Sequence, residues 1–166
     1  MAQELRIITT GGTFDKQYDA IKGELTFRES QLPRILQQAR CTLTVQLEGP
    51  LAIDSLYMTE EQRHEVAASC LSSNEDRIVV IHGTDTMCKT AAVVAEAMGK
   101  ENTHVIVFTG AMIPYSLENS DAVFNLGCAI TAVQTLKAGV YICMSGRIFP
   151  WDNCIKNKDK GIFEYL

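Results

Sequence analysis

The chain is short of positive charge. Fifteen lysines and arginines stand against 20 aspartates and glutamates, for a formal net charge of −5 and a pI near 5.2. A protein that holds nucleic acid or an anionic membrane mainly by electrostatics needs a basic face, so neither partner is expected and a small molecule is. Proline is scarce, at 4 residues, and no low-complexity tract or internal repeat is present, which sets aside collagen-like and disordered chains. No apolar run reaches the roughly 20 residues of a membrane-spanning helix. The start, Met1-Ala2-Gln3-Glu4-Leu5-Arg6, lacks the basic and then apolar regions of a secretory signal. The six cysteines, Cys41, Cys70, Cys88, Cys128, Cys143 and Cys154, form no C-x-x-C pair, and no histidine is spaced to complete a zinc set. They read as reduced, mostly buried thiols of a cytoplasmic protein, with no metal expected. Neither G-x-G-x-x-G nor G-x-x-x-x-G-K-[ST] occurs, so no nucleotide cofactor is expected either.

What is present is the composition of a folded domain: 166 residues, 46% hydrophobic and 21% charged, the size of one unit covering 1–166. Leu5 to Thr10 and Thr42 to Leu47 read as strands. Arg77 to His82, Thr103 to Thr109 and Val140 to Met144 are apolar without alternation, as in strands covered on both faces of a parallel sheet. Between them lie helical patterns: Pro33 to Arg40, Thr59 with Gln62 as a capping box for a helix to about Leu71, Met87 to Met98 closed by Gly99, and Asp121 to Lys137. This alternation predicts an α/β fold, a three-layer sandwich around a mainly parallel sheet. Four of the strands run into small-residue turns, Thr10-Gly11-Gly12-Thr13, His82-Gly83-Thr84-Asp85, Thr109-Gly110-Ala111 and Ser145-Gly146. In a parallel sheet these turns share the carboxyl edge, where ligands of open α/β sheets bind, so the active site is expected there.

Each candidate has an ordinary explanation. Thr10-Gly11-Gly12-Thr13 is by itself a tight turn with a capping threonine. In His82-Gly83-Thr84-Asp85-Thr86-Met87, any of Thr84, Asp85 or Thr86 is an adequate helix cap, and the surplus of polar groups raises a functional reading. His82 follows four apolar residues and reads as a hydrogen-bonded core histidine. Asp152, Lys156, Asn157, Lys158, Asp159 and Lys160 read as a solvated face. If a lysine of this stretch reaches Asp85, a relay of threonine, lysine and aspartate forms, with desolvation lowering the lysine pKa and the carboxylate fixing its orientation. Spacing alone leaves open which of Lys156, Lys158 and Lys160 that is.

Taken together, Thr9-Thr10-Gly11-Gly12-Thr13-Phe14-Asp15 and His82-Gly83-Thr84-Asp85-Thr86-Met87 resemble the two signatures of bacterial-type L-asparaginases. Thr109-Gly110-Ala111-Met112 with Pro114 resembles that family's G-A-M-x-P loop. Asp121 with Asn125-Leu126 resembles its S-x-D-G-x-x-N-L helix start, Asn119 and Ala122 replacing the serine and glycine. The resemblance covers most of the chain. It implies Thr13 as the nucleophile that forms an acyl-enzyme, assisted by Tyr18, and Thr84, Asp85 and Lys156 as the relay that handles the attacking water. It also implies substrate contacts at Gly12, Asp54, Ser55, Gly83, Thr84 and Asp85, with Ser55 on the α-carboxylate and Asp85 on the α-amino group. Backbone NH groups in the glycine turns are candidate oxyanion donors.

The resemblance thus implies a cofactor-free amidohydrolase, an L-asparaginase turning L-asparagine and water into L-aspartate and ammonia, as a homo-oligomer in the cytoplasm. Larger relatives carry a second domain that completes a neighbouring subunit's site, and the chain ends at Leu166, so a short, single-domain form is expected. Leu56 stands where an amide residue commonly follows the serine, which bears on asparagine against glutamine. The alternatives are an amidohydrolase for glutamine or another amide, and a non-catalytic asparagine- or aspartate-binding module, which fold alone permits.

Overall fold

In the strand Arg77–Ile81 every residue after the arginine is buried: Ile78 and Val80 face one side of a sheet, Val79 and Ile81 the other. That two-sided burial sets the architecture. The computed structural model of the protein describes residues 4–166; residues 1–3, which opened the reading against a leader segment, lie outside the described residues. In chain order the elements are β1 (Leu5–Thr9), β2 (Lys16–Asp19), β3 (Glu24–Phe27), α1 (Leu32–Gln38), β4 (Val45–Glu48), α2 (Glu60–Leu71), β5 (Arg77–Ile81), α3 (Met87–Met98), β6 (Val105–Thr109), α4 (Ala122–Thr135), β7 (Gly139–Met144), β8 (Arg147–Pro150), β9 (Ile155–Asn157) and β10 (Ile162–Glu164).

The central sheet has the order β4-β1-β5-β6-β7-β8, parallel throughout except for β8, which runs antiparallel to β7. Helices α2 and α3 supply Val66, Ala67, Cys70, Met87, Ala91 and Val94 to one core, with Ile8, Ile78, Val80, Ile106 and Phe108 of the sheet. On the other face α1 and α4 supply Leu32, Ile35, Leu126, Ala129 and Val133 against Leu5, Ile7, Val79, Ile81 and Val107. Burying side chains of this size contributes about 1.5–3 kcal/mol each, so the double coverage explains why these strands carry unbroken apolar runs. The result is the expected three-layer α/β sandwich.

The chain leaves β1 for β4 on one side and then crosses to β5 on the other, so strand order reverses at β1. A crevice opens at such a switch point, outside the carboxyl ends of the strands that flank it. Here those ends are Thr10-Gly11-Gly12-Thr13 after β1 and His82-Gly83-Thr84-Asp85 after β5.

Local signals account for most boundaries. Thr59 and Gln62 form the reciprocal capping box that opens α2. Pro33 lies in the first turn of α1, and Gly99, with φ 69°, closes α3. Three features depart from the sequence reading. The β2–β3 hairpin and β8 fall where no element was read, and the β9–β10 hairpin falls where a solvated face was read. Strand β8 is four residues long and ends on Pro150 at the sheet edge, where a proline loses no ladder bond. It follows Ser145 (φ 53°) and Gly146 (φ 79°), whose paired positive φ values match the right-handed twist of a two-residue hairpin. The strand read from Thr42 begins at Val45, that read from Thr103 begins at Val105, and α4 stops at Thr135.

One glycine is not used by the fold. Gly127 lies inside α4, is exposed, and a Cβ there would meet nothing within 4 Å. Gly127→Ala is expected to raise stability by about 0.5–1 kcal/mol, the intrinsic helix preference, read as a higher urea midpoint at unchanged m-value.

Candidate active site

Two glycines let the turns after β1 and β5 touch. A Cβ on Gly12 (φ 71°) would lie 2.5 Å from the Gly83 backbone nitrogen, and one on Gly83 would lie 2.5 Å from Ser55 Oγ. Three segments therefore converge: the β1 turn, the β5 turn, and the short helical turn Ser55–Tyr57 between β4 and α2. The β1 turn is also bonded to the third segment, Gly12 N–H donating to Ile53 O at 3.0 Å and Ile53 N–H to Thr10 O at 3.0 Å. Gly12 thus contributes close approach, its own amide being committed. Thr13 follows at the start of a single 3₁₀ turn, half-buried.

The polar cluster sits on the β5 turn. Lys156, on β9, donates from Nζ to Thr84 Oγ1 at 2.7 Å and to Asp85 Oδ1 at 2.9 Å. The lysine side chain is 11% exposed and that of Asp85 30%, so the ion pair is partly withdrawn from water. Lys158 and Lys160 are both exposed, Lys160 facing Glu164 at 3.6 Å. Among the three lysines of the stretch, it is Lys156 that turns inward. Neither Thr84 nor Asp85 caps α3, for the N-cap residue is Thr86, and its hydroxyl instead donates to Ser55 O at 2.8 Å. The surplus polar groups of the β5 turn are committed to Lys156, not to capping.

His82 supports this turn from below. It is fully buried, and its Nδ1 lies 2.7 Å from Gly83 O, a bond that the Nδ1–H tautomer donates. Its Nε2 is buried without a partner. Burial, reinforced by Arg63 nearby and only partly opposed by the Gly83 bond, lowers its pKa to about 4. It is a neutral core histidine, as its place in the sequence suggested.

The remaining residues take other places. Ser55 is 1% exposed, with Oγ accepting weakly from Thr86 N–H at 3.4 Å. The Asp54 carboxylate is taken by Lys16 Nζ at 2.7 Å and Leu56 N–H at 3.0 Å; burial raises its pKa, but these partners outweigh it and the net shift is downward. Tyr18 lies on β2 with 59% exposure, and among the described residues no hydrogen bond joins its hydroxyl to Thr13. Its hairpin is fixed at the base by Lys16–Asp54 and by Ser116 Oγ donating to Lys16 O at 2.8 Å.

Two supporting residues carry no assigned role in the sequence reading. Asp121 accepts from Met112 N–H and Ile113 N–H at 2.9–3.0 Å, and Asn125 donates to Gly110 O at 2.9 Å while accepting from Ser145 N–H at 3.1 Å. They tie the loop after β6 to the turn after β7. Their spacing, with Asn119 at φ 59° just before, was the available signal; asparagine tolerates that left-handed conformation. Among the described residues no group of three His, Cys, Asp or Glu is arranged to hold a metal ion, and no helix is long and apolar enough to cross a membrane.

Fold and site define an α/β protein with a threonine–lysine–aspartate cluster at the switch point of its sheet. The chain belongs to the asparaginase family: the family's profile, described as "Asparaginase, N-terminal", matches residues 4–162. The thermostable L-asparaginase from Thermococcus kodakarensis superposes with a TM-score of 0.87 at 25% identity, over 99% of this chain and 51% of that one. A probable cytoplasmic L-asparaginase from Campylobacter jejuni gives 0.76 at 25% identity, over 93% and 50%. Among curated proteins, a glutamyl-tRNA(Gln) amidotransferase subunit from Thermococcus kodakarensis is 31% identical over 153 residues, 84% of this chain and 33% of that protein. The corresponding protein of Methanococcus vannielii is 29% identical over 170 residues, 96% and 38%. The chain therefore spans about a third of the curated relatives and about half of the solved asparaginases.

The His82 environment predicts a pH dependence. The unfolded chain binds a proton on this histidine below about 6.5, while the folded state resists until about 4. Stability is therefore full above that window and falls as pH drops through it, by roughly 3 kcal/mol for this group. Urea unfolding at pH 7, 5.5 and 4.5 measures the slope, and His82→Asn, which keeps a donor for Gly83 O, is expected to flatten it.

Proposed function

We propose that the protein is an L-asparaginase that hydrolyses L-asparagine to L-aspartate and ammonia. The observation that carries this reading is the contact of Lys156 with both Thr84 and Asp85, directly across the Gly12–Gly83 contact from Thr13. A cluster of this kind has no structural task that simpler groups do not already perform, and it stands where a ligand of this fold binds.

In this mechanism the Thr13 hydroxyl adds to the side-chain amide carbonyl, the tetrahedral adduct expels ammonia, and an aspartyl ester on Thr13 remains. Water held by Thr84 then attacks that ester, its proton passing to the departing Thr13 oxygen so that free Thr13 returns, while the Lys156 ammonium fixes the Thr84 hydroxyl. Asp85 keeps the lysine amine aimed at Thr84 and offers a carboxylate to the substrate α-amino group. Tyr18 assists Thr13 only on moving inward from its exposed position, so closure of the β2–β3 hairpin over substrate is part of the proposal. Ser55, nearly closed off, takes the α-carboxylate after a small opening of the same kind.

A second reading is favoured by the curated relatives, which belong to an amidotransferase. There the same Thr13 chemistry frees ammonia for an acceptor held by other chains, with glutamine as a further donor. Under either reading the substrate is a small amide, and cytoplasmic action, self-association and a single functional unit over 1–166 belong to the proposal.

Ammonia release from L-asparagine and, in parallel, L-glutamine tests it. Thr13→Ala is expected to abolish release, and Thr84→Ala and Lys156→Ala each to lower kcat by about 10²-fold or more. Because the two act as a unit, the double variant is expected to be no worse than the poorer single one. Full turnover by Lys156→Ala removes the relay, and a folded protein that binds aspartate but releases no ammonia from either amide points to the binding module.

A further inference from the structure

The β2–β3 hairpin is attached to the body of the protein at its base. Its ladder pairs Lys16 with Phe27 and Tyr18 with Leu25, and residues directly opposite one another, or two apart along a strand, share a face. Lys16, Phe27, Tyr18 and Leu25 therefore lie on one face of the hairpin. At the base of that face Lys16 Nζ donates to Asp54 Oδ2 at 2.7 Å and stands 5.8 Å from the centre of the Phe27 ring, while Lys16 O accepts from Ser116 Oγ at 2.8 Å. Further out, among the described residues, the hydrogen bonds of residues 18–26 stay within the hairpin. Asp19 accepts from the N–H groups of Ile21, Lys22 and Gly23 and faces Arg28 at 3.7 Å. Tyr18 and Leu25 are 59% and 40% exposed. One face thus has an anchored base and a bare apolar outer half.

The other end of the ion pair is held as closely. Asp54 precedes the Ser55–Tyr57 turn and caps it, Oδ1 accepting from Leu56 N–H at 3.0 Å, so both carboxylate oxygens are engaged. We infer that Lys16 and Asp54 are a positioning pair, which turns the hairpin face bearing Tyr18 toward the crevice and holds the Ser55 turn in register with it. A body attached at its base turns about that base. Because Lys16 is tied on the same face as Tyr18, the side that folds over the crevice is the one carrying Tyr18 and Leu25, whose apolar surface then leaves water. Exposed ion pairs contribute little when two free side chains must be ordered to make them. Here Asp54 is already fixed by its cap and Lys16 lies against an aromatic ring, and the pair is only 20% and 28% exposed, so that cost is small. Asp54 accordingly acts through Lys16 and Ser55, in contrast to the direct substrate contact that the family resemblance implies.

The effect on turnover rests on the function proposed above; the effect on the two segments does not. Lys16→Met keeps the length of the side chain and removes its charge, and Asp54→Asn keeps an oxygen for Leu56 N–H. Each is expected to lower kcat/KM for L-asparagine by about 10-fold or more, with KM raised, because substrate meets a site whose two walls are less often in place. The double variant is expected to be no worse than the poorer single one, and Lys16→Arg to keep KM close to its unsubstituted value. A loss of kcat at unchanged KM is what partial unfolding gives, and it overturns the positioning role. So does an Asp54→Asn effect much larger than that of Lys16→Met and additive to it, which marks direct contact with substrate. Hydrogen exchange of the full-length protein, read by mass on peptic peptides, needs no turnover. Lys16→Met is expected to speed exchange in residues 53–58, where Tyr57 and Met58 N–H close the turn, and Asp54→Asn to speed it in residues 16–27. If the unsubstituted protein releases no ammonia, the functional reading falls and exchange alone decides the pair. Faster exchange confined to the segment that carries the substitution, or seen in neither, overturns it.

Discussion

The approach of Gly12 to Gly83 is the constraint on which the rest of the site depends. Parallel strands β1 and β5 lie side by side and both end at the same edge, so the turns that follow are forced into one another's space. A single Cβ on either side would stand 2.5 Å from its neighbour, a distance no packed side chain occupies. With glycine at both positions the turns interlock, Thr13 is held on one, Thr84 and Asp85 on the other, and the Ser55 turn closes against the second. The positive φ of Gly12 is needed for the same reason, since the chain must reverse within the width of the strand pair.

Around that contact the fold spends polar groups on position. Thr10 and Thr109 bond their hydroxyls to Ile81 O and Cys143 O, locking strand ends together across the sheet. His82 holds the Gly83 carbonyl, and Asp121 and Asn125 gather the loops after β6 and β7. Arg63, buried on α2, donates to Thr86 Oγ1, Thr90 Oγ1 and Met58 O, which fixes the start of α3 against the Ser55 segment. Groups whose own bonds are complete do not drift, so Thr84 and Asp85 present a stationary face to Lys156. The lysine arrives on a strand distant in sequence that, among the described residues, pairs only with β10. The cluster is thus rigid on the sheet side and depends on the small β9–β10 hairpin on the other.

Membership of the asparaginase family fits this construction, and the relatives place the chain's length in context. Solved asparaginases run to about twice the aligned span, and the curated amidotransferase relatives to about three times. The Thermococcus kodakarensis asparaginase superposes over 99% of this chain, so the sheet, its carboxyl edge and the turns just described lie within the shared fold.

The parallel strands, the four helices, the capping box at Thr59 and the edge where a ligand belongs were legible because each follows from local chemistry: unbroken apolar runs, helical spacing, and glycines after strands. The paired signatures around Thr13 and Thr84 identified the family from residues alone. The hairpins were not legible, since Lys16–Asp19 and Ile155–Asn157 are short and polar, and their pairing is decided by what lies across from them. The same holds for the lysine. Lys156, Lys158 and Lys160 are alike in sequence, and only Lys156 lies on β9, which ends at Asn157 and sets it against the start of α3, some 70 residues from its partners. Local chemistry thus determined which elements form and which edge bears the site. Contacts between distant segments decided which side chains meet there, because a nitrogen within 3 Å of two oxygens is a property of packing and not of spacing.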